Sequence, residues 1–280
     1  MQMEQRARVL IDCADAKGLV YKISKVFYDR ELNIENNREF VDRDANRFFM
    51  RTVVTGLFDA KEVQNALRDV MPKNARIRFL TPRRKKIVIL ATKEAHALGD
   101  ILIRHADGEL EADIEAVIAN HDTLRDLVER FDIPFHLVPA EDLTRSAHEE
   151  AVRSCIDRYT FDYIVLAKYM RILTPKFVAA YPQKIINIHH SFLPAFIGAN
   201  PYKQAHDRGV KIIGATAHFV TDDLDEGPII AQEVIPVNHR LDWKQMQRSG
   251  RDVEKIVLSR ALALVLHDRV FVSGNKTVVF

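Results

Sequence analysis

The sequence predicts an α/β protein of two units: a ferredoxin-like βαββαβ unit over residues 1–80, and a mostly parallel, Rossmann-like unit over residues 87–280. In the first unit, apolar runs and amphipathic stretches follow the order strand, helix, strand, strand, helix, strand. In the second, β-branched runs alternate with helical stretches, which is typical of right-handed βαβ units and a parallel sheet. Residues 81–86 (TPRRKK) are interpreted as a basic linker between the two units.

The elements of the first unit are predicted from their periodicity. Residues 8–13 and 47–56 are strand-like apolar runs, and residues 19–30 carry an apolar stripe at helical spacing. A second amphipathic helix is expected over residues 60–70, with one further strand made by residues 32–34 and 37–41 and a closing strand at 75–80. Each helix can cover one face of a four-stranded antiparallel sheet, which is the arrangement of a ferredoxin-like fold.

The turn before the first helix and the segment after it resemble the ACT family of small-molecule regulatory domains. The turn reads Asp-Ala-Lys-Gly-Leu over residues 15–19, and the segment reads Leu-Asn-Ile over residues 32–34. The resemblance implies edge-to-edge pairing into a homo-oligomer, a dimer or a tetramer, with an amino-acid effector at the interface. Ala14 stands where such turns often carry proline, so a dimerisation module that binds nothing is an equal alternative. The effector contacts that the resemblance implies are Asp15, Gly18, Leu19, Asn33 and Ile34.

The second unit is predicted from strands that carry few charges. Strands are expected at residues 86–92, 112–119, 134–138, 163–167 and 185–189, with helices at 94–104, 122–131, 146–159 and 175–180 between them. The run at residues 86–92 (KIVILAT) has no charge after its first residue, as in strands covered on both faces. A short helix at 201–207, two more strands and a long helical segment over 242–268 complete the unit.

The candidate site follows the strand at residues 185–189 (IINIH). Alternation points Asn187 and His189 to the same side of the sheet, near the carboxyl end of the strand, where α/β sheets place their ligands. A second apolar run at residues 211–220 has a polar tip at His218, and the acidic loop 221–228 follows it. We expect this loop to leave its strand in the same direction and to bring Asp225 against Asn187 and His189.

These residues also carry a resemblance to a known family. The segments Asn-Ile-His, Ser-x-Leu-Pro and T-x-H-F-V-x-x-x-x-D-x-G-P-I together resemble the folate-dependent formyltransferase fold. The variant over residues 187–194 (NIHHSFLP) is most similar to its hydrolytic branch, the formyltetrahydrofolate deformylases of one-carbon metabolism and purine biosynthesis. The resemblance implies that Asn187, His189 and Asp225 are catalytic, and that water converts 10-formyltetrahydrofolate to formate and tetrahydrofolate. It implies no cofactor, because the folate is the substrate, and a folate-binding set of Met170, Arg171, Ile172, Leu173, Thr221, Asp222 and Leu224.

The first βα turn of the second unit bears on the choice of acceptor. Residues 91–99 (ATKEAHALG) contain no GxGxxG pattern, which argues against a dinucleotide. Resembled transferases that act on a phosphorylated amine carry a glycine-rich loop at this point, so the bulky and acidic residues here favour water. The nearest alternative is a formyltransferase with an amine acceptor. A metal site of His189, His190, His218 and Asp225, and a non-enzymatic amino-acid sensor, are further alternatives, and the roles of His190 and His218 stay unassigned.

Composition excludes several other classes of function. Lys and Arg number 41 against 39 Asp and Glu, a formal net charge of +2, so no global field attracts nucleic acid or an anionic membrane. The two cysteines provide neither a disulfide framework nor a metal-ligand spacing, which fits a reducing compartment. With no signal-peptide core and no apolar run of membrane-spanning length, the sequence predicts a cytoplasmic protein.

Overall fold

The computed structural model describes residues 4–196 and 200–280, and the chain divides into two compact units. The first unit contains the chain up to Arg83 together with residues 268–271 and 278–280, and the second contains residues 84–267 and 272–277. The division falls inside the predicted linker, of which Lys85 and Lys86 already belong to a strand. The predicted second domain of 87–280 therefore differs from the observed one, because residues 268–271 and 278–280 belong to the first unit.

The first unit has the predicted order of elements and confirms the βαββαβ fold. All pairings in its four-stranded sheet are antiparallel, in the order β2-β3-β1-β4. The elements are β1 (Gln5–Ala14), α1 (Leu19–Tyr28), β2 (Asn33–Asp42), β3 (Arg47–Gly56), α2 (Ala60–Val70) and β4 (Arg76–Leu80).

Both helices of the first unit pack on one face of this sheet. Ile23 of α1 and Leu67 of α2 share a buried apolar cluster with Val9 and Ile11 of β1. The opposite face carries Leu10 and Phe49, which are buried with Phe271 and Phe280 near the C-terminus. The C-terminal residues therefore belong to the first unit because they cover apolar surface that neither helix reaches.

The second unit is built on a seven-stranded sheet that confirms the mostly parallel, Rossmann-like prediction. Its strand order is β11-β10-β9-β8-β5-β6-β7, and its helices connect the strands in chain order. The strands are β5 (Lys85–Ala91), β6 (Ala112–Ala119), β7 (Phe135–Leu137), β8 (Tyr163–Ala167), β9 (Ile185–His189), β10 (Ile212–Phe219) and β11 (Ile229–Pro236). The helices are α3 (Ala95–Ala106), α4 (Arg125–Glu129), α5 (Arg145–Ile156), α6 (Pro175–Ala180), α7 (Pro201–Arg208) and α8 (Trp243–Leu266), and the hairpin β12 (Val270–Ser273) and β13 (Lys276–Val279) ends the chain.

The direction of β10 corrects one expectation. Strands β5 to β9 pair in parallel, but β10 is antiparallel to β9, with Thr216 opposite His189 and Phe219 opposite Ile186. The acidic loop therefore leaves β10 beside the beginning of β9, not beside its end. It reaches the candidate site by turning back toward the carboxyl end of β9.

The longest helix, α8, packs against the sheet of the second unit. It begins with a capping box in which Asp242 accepts a hydrogen bond from the backbone N–H of Gln245, and the Gln245 side chain returns to the backbone N–H of Asp242. Its buried face is mostly apolar but includes Glu254. Among residues 4–196 and 200–280, no helix is long and apolar enough to cross a membrane.

Candidate active site

A cavity of about 280 Å³ opens where β8 and β9 end. The segment after β8, the end of β9 and the acidic loop after β10 form its walls. The structure brings all ten predicted catalytic and folate-binding residues into its lining: Met170, Arg171, Ile172, Leu173, Asn187, His189, Thr221, Asp222, Leu224 and Asp225.

An imidazole and a carboxylate form the polar centre of this cavity. His189 is 6% exposed, and its Nδ1 atom lies 3.2 Å from Oδ1 of Asp225. The other ring nitrogen, Nε2, is buried and has no hydrogen-bond partner among the described residues. Because buried polar atoms are normally hydrogen-bonded, an orphaned imidazole nitrogen in a cavity wall is suited to bind a ligand atom.

A tight turn brings Asp225 to His189. Asp225 adopts a left-handed backbone conformation with φ of 58°, which aspartate tolerates better than most residues. Gly227 follows it where the chain passes so close to the carbonyl group of Phe219 that a Cβ atom would collide with it. The acidic loop therefore requires glycine for steric reasons, and its position fixes the Asp225 carboxylate.

His218 orients the amide of Asn187. The Nδ1 atom of His218 lies 3.0 Å from the carbonyl oxygen of Phe219, which can only accept, so Nδ1 carries the proton. Burial lowers the pKa of His218, so the ring is neutral and its Nε2 atom is an acceptor. Nε2 lies 3.2 Å from Nδ2 of Asn187 and accepts one amide N–H. The second N–H of Asn187 is then available to a substrate oxygen.

The Asp225 carboxyl group is held in its charged form. Burial by itself raises the pKa of Asp225, but the hydrogen bond from His189 and the electrostatic influence of that ring outweigh it, so that the pKa is lowered. The group is therefore a carboxylate at neutral pH, where it can accept a proton or orient a water molecule.

His190 is neutral and lies beside His189. The two ring centroids are 5.2 Å apart. Burial, followed by the charge of Lys168, lowers the pKa of His190 to about 3. Only one of the two neighbouring imidazoles therefore carries a positive charge when His189 is protonated, which removes repulsion between the rings.

Comparison with known proteins identifies the two units. The formyl transferase family model matches residues 85–262, and the ACT domain model matches residues 7–70. A formyltetrahydrofolate deformylase of Haemophilus influenzae is 58% identical over 277 residues, covering 99% of this chain and 100% of that protein. The crystal structure of a formyltetrahydrofolate deformylase from Pseudomonas syringae superposes with a TM-score of 0.94 at 42% identity, covering 100% of this chain and 95% of that one.

The chain belongs to the formyltetrahydrofolate deformylase family. The predicted hydrolytic branch, the ACT domain and the formyltransferase fold are thereby confirmed. A glycinamide ribonucleotide transformylase from Symbiobacterium toebii shares only part of this architecture, with a TM-score of 0.67 at 30% identity over 70% of this chain and 94% of that one. The alternative of an amine acceptor is not favoured.

Several side chains of the deformylase cavity were not predicted as site residues. Lys168, Tyr169, His190 and His218 line it together with the predicted set. Lys168 and Tyr169 lie directly before the predicted segment 170–173, so their position in the sequence was a usable signal. His218 was visible as the polar tip of β10, but its role depends on a backbone carbonyl that the sequence does not reveal.

The alternative of a metal site finds no ligand cluster in the described part of the chain. Residues 4–196 and 200–280 contain no group of three or more His, Cys, Asp or Glu residues that could hold a metal ion. Instead, His189 and His218 are oriented by hydrogen bonds to Asp225, Asn187 and the Phe219 carbonyl.

The predicted effector contacts lie at opposite ends of the ACT sheet. Ala14, which precedes the turn containing Asp15 and Gly18, is opposite Arg47 at the start of β3. Asn33 is opposite Thr55 near the end of β3. The eight residue steps from Arg47 to Thr55 span roughly 27 Å at about 3.4 Å per step. One copy of the chain therefore does not bring the two groups of contacts together.

Proposed function

We propose that the chain hydrolyses 10-formyltetrahydrofolate to formate and tetrahydrofolate, with Asn187, His189 and Asp225 performing the chemistry. The observation that carries this proposal is the orphaned Nε2 of His189 in the cavity wall, with Asp225 held 3.2 Å from the other nitrogen of the same ring. The His189 and Asp225 pair supplies the hydrogen-bond donor and the proton acceptor that hydrolysis of a formamide requires.

Two donors stabilise the charge that develops in the reaction. Attack on the formyl carbon moves negative charge onto the formyl oxygen. The protonated His189 ring donates from Nε2, and Asn187 donates its second amide N–H, to this oxygen. Both side chains are oriented in advance, His189 by Asp225 and Asn187 by His218. Such preorganised donors act without reorganisation when the oxygen becomes charged.

Asp225 acts on the attacking water. As a carboxylate beside the cavity, it orients the water and accepts its proton, directly or through a second water molecule. After attack, the tetrahedral intermediate collapses: the bond from carbon to nitrogen breaks, a proton goes to that nitrogen, and formate leaves.

The segment after β8 and the acidic loop bind the folate. Met170 is 55% exposed, Ile172 is 50% exposed and Leu224 is 47% exposed, so three apolar side chains present uncovered surface around the cavity. A flat, partly apolar pterin ring can bury this surface, while backbone groups of residues 170–173 contact its polar edge. Arg171, Leu173, Thr221 and Asp222 complete this set.

The test is formate release by the purified protein without any amine. Pure protein with 10-formyltetrahydrofolate should produce formate and tetrahydrofolate in equal amounts, and should do so after dialysis against a strong chelator, because we propose no metal or cofactor. Formate release that requires an added amine would favour the transferase alternative. Loss of activity on chelation, restored by a divalent cation, would favour the metal alternative.

We also propose that the ACT unit pairs copies of the chain and binds an amino acid between them. The edge strand β2 is exposed over most of its length, which leaves its backbone available to a second copy. Because Asp15 and Asn33 lie at opposite ends of one sheet, a site that uses both groups of contacts needs two chains. Sedimentation analysis and formate assays with each amino acid test this proposal. A monomer whose activity no amino acid changes would contradict it.

A further inference from the structure

A buried polar cluster lies behind the wall of the cavity, outside the catalytic set. Glu254 of α8 is 1% exposed and receives three partners from distant parts of the chain. The Tyr202 hydroxyl donates to its Oε1 at 2.7 Å, and its Oε2 lies 2.8 Å from His96 Nε2 and 3.2 Å from Lys168 Nζ. We call His96, Lys168, Tyr202 and Glu254 the Glu254 cluster.

The charges of this cluster are costly to bury. Lys168 is 4% exposed and its ammonium group contacts a carboxylate that water does not reach. Burial by itself raises the pKa of Glu254, but the hydrogen bond from His96 and the charge of Lys168 bring the pKa down to about 2. Glu254 is therefore a carboxylate at neutral pH. Replacing a buried ion pair by apolar side chains of similar volume is often neutral or stabilising, so stability alone does not account for this pair.

The backbone at Lys168 supports the same conclusion. Its φ is 60°, a left-handed conformation that glycine adopts without strain and lysine does not. A glycine at this position would relax the backbone but would remove the ammonium group. The contact that this side chain makes is with Glu254.

A glycine in α8 makes room for the contact between Tyr202 and Glu254. A Cβ atom at Gly250 would collide with the phenol ring of Tyr202. Glycine at this position of the helix therefore allows the Tyr202 hydroxyl to reach Glu254, one turn further along α8. The segment after β8, helices α3 and α7, and helix α8 thus meet at one carboxylate.

We propose that Lys168 is a positioning residue that, through its ion pair with Glu254, fixes the segment 168–173, which carries the folate-binding residues 170–173. Lys168 is the first residue of this segment, directly after β8, and it anchors the segment to α8. Tyr169 anchors it on the other side, because its ring is buried in the apolar cluster that contains Phe177. The backbone N–H of Met170 donates to Thr92 Oγ1 at 3.0 Å, which holds the exposed Met170 at the cavity.

This proposal rests on the proposed function for its kinetic readout, so a binding measurement accompanies it. Lys168→Gly removes the ammonium group and relaxes the backbone, and Lys168→Met removes the charge but keeps the bulk. Both should raise KM for 10-formyltetrahydrofolate by roughly tenfold while kcat changes by less than about threefold, because uniform binding is lost but the reacting groups stay. Equilibrium dialysis should show a matching loss of affinity for tetrahydrofolate.

Gln183→Gly is the matched control. Gln183 has φ of 56° and is exposed between α6 and β9, so its replacement gives the same backbone relaxation outside the cavity. It should leave KM and tetrahydrofolate affinity unchanged. A folded Lys168→Gly or Lys168→Met protein with KM and tetrahydrofolate affinity within about twofold of wild type would overturn the proposal. If the wild type releases no formate, the proposed function fails, and the dialysis comparison still decides the role of Lys168.

Discussion

Replacement of Asp225 by asparagine tests the chemistry with little disturbance of the fold. Asparagine has the same shape and, like aspartate, tolerates the left-handed backbone that φ of 58° requires. The side chain is 9% exposed and contacts His189 at 3.2 Å, so the change removes a negative charge from a confined site. The acidic loop should keep its position, while the base and the counter-charge of His189 are lost.

The expected loss follows from what a positioned base contributes. General-base catalysis is worth about 10²–10⁴ in rate, which corresponds to about 2.7–5.4 kcal/mol of transition-state stabilisation. We expect Asp225→Asn to lower kcat by at least about 10²-fold. KM should stay within about threefold, because the carboxylate acts on the attacking water and is not one of the residues that bind the folate. Formate release is the assay, with thermal unfolding to establish that the variant is folded. A folded variant that retains more than about a third of the wild-type kcat would refute the role of Asp225.

Four further outcomes are expected. Asn187→Ala should lower kcat by about 10²–10³-fold, because one oxyanion donor is lost; a change below threefold argues against this donor. His218→Phe should cost about tenfold, and the double variant should be no slower than Asn187→Ala, because His218 acts through Asn187; additive losses would separate the two residues. Gly227→Ala should lower kcat/KM by about 10²-fold, because a Cβ atom at this position displaces the acidic loop. The control Gly99→Ala should leave kcat/KM unchanged, because the nearest atom to a Cβ there is 4.0 Å away. Burial lowers the pKa of His190 and of His218, so as the pH falls below about 6.5 the unfolded chain takes up protons before the folded chain does. Tm should therefore decrease from pH 7 to pH 5, and it should decrease less steeply in His190→Gln than in the wild type. An equal slope in both proteins would exclude His190 as a contributor.

The sequence was sufficient for the fold because its periodic signals are local. Alternation in the strand Ile185–His189 was enough to put Asn187 and His189 on the same side, and both line the cavity. Glycine and proline at positions 227 and 228 marked the turn that carries Asp225. The motif that produced the family resemblance thus coincides with the residues that the structure brings together.

The direction of β10 could not be predicted from its residues. An apolar run fits a parallel or an antiparallel neighbour equally well, and the helix α7 in the connection is the usual mark of a parallel crossover. The structure uses the antiparallel pairing, and the acidic loop compensates by turning back. The C-terminal residues Phe271 and Phe280 posed the same difficulty, because apolar side chains do not identify the sheet face that they will cover.

The Glu254 cluster could not be predicted from the sequence, for a different reason. Glu254 follows the buried Val253 on α8, and a glutamate on a long helix is normally solvated. Its partners His96 and Tyr202 are separated from it by 158 and 52 positions in the chain. Only the tertiary structure shows that these side chains meet, and that the lysine after β8 joins them.

The most direct test of the proposed chemistry is a crystal structure with an unreactive 10-formyltetrahydrofolate analogue bound. We expect the formyl oxygen within about 2.7–3.1 Å of both His189 Nε2 and Asn187 Nδ2, the distances at which an oxyanion site acts. An ordered water molecule should lie between the Asp225 carboxylate and the formyl carbon. A formyl group that points away from His189, with its Nε2 still without a partner, would contradict the account.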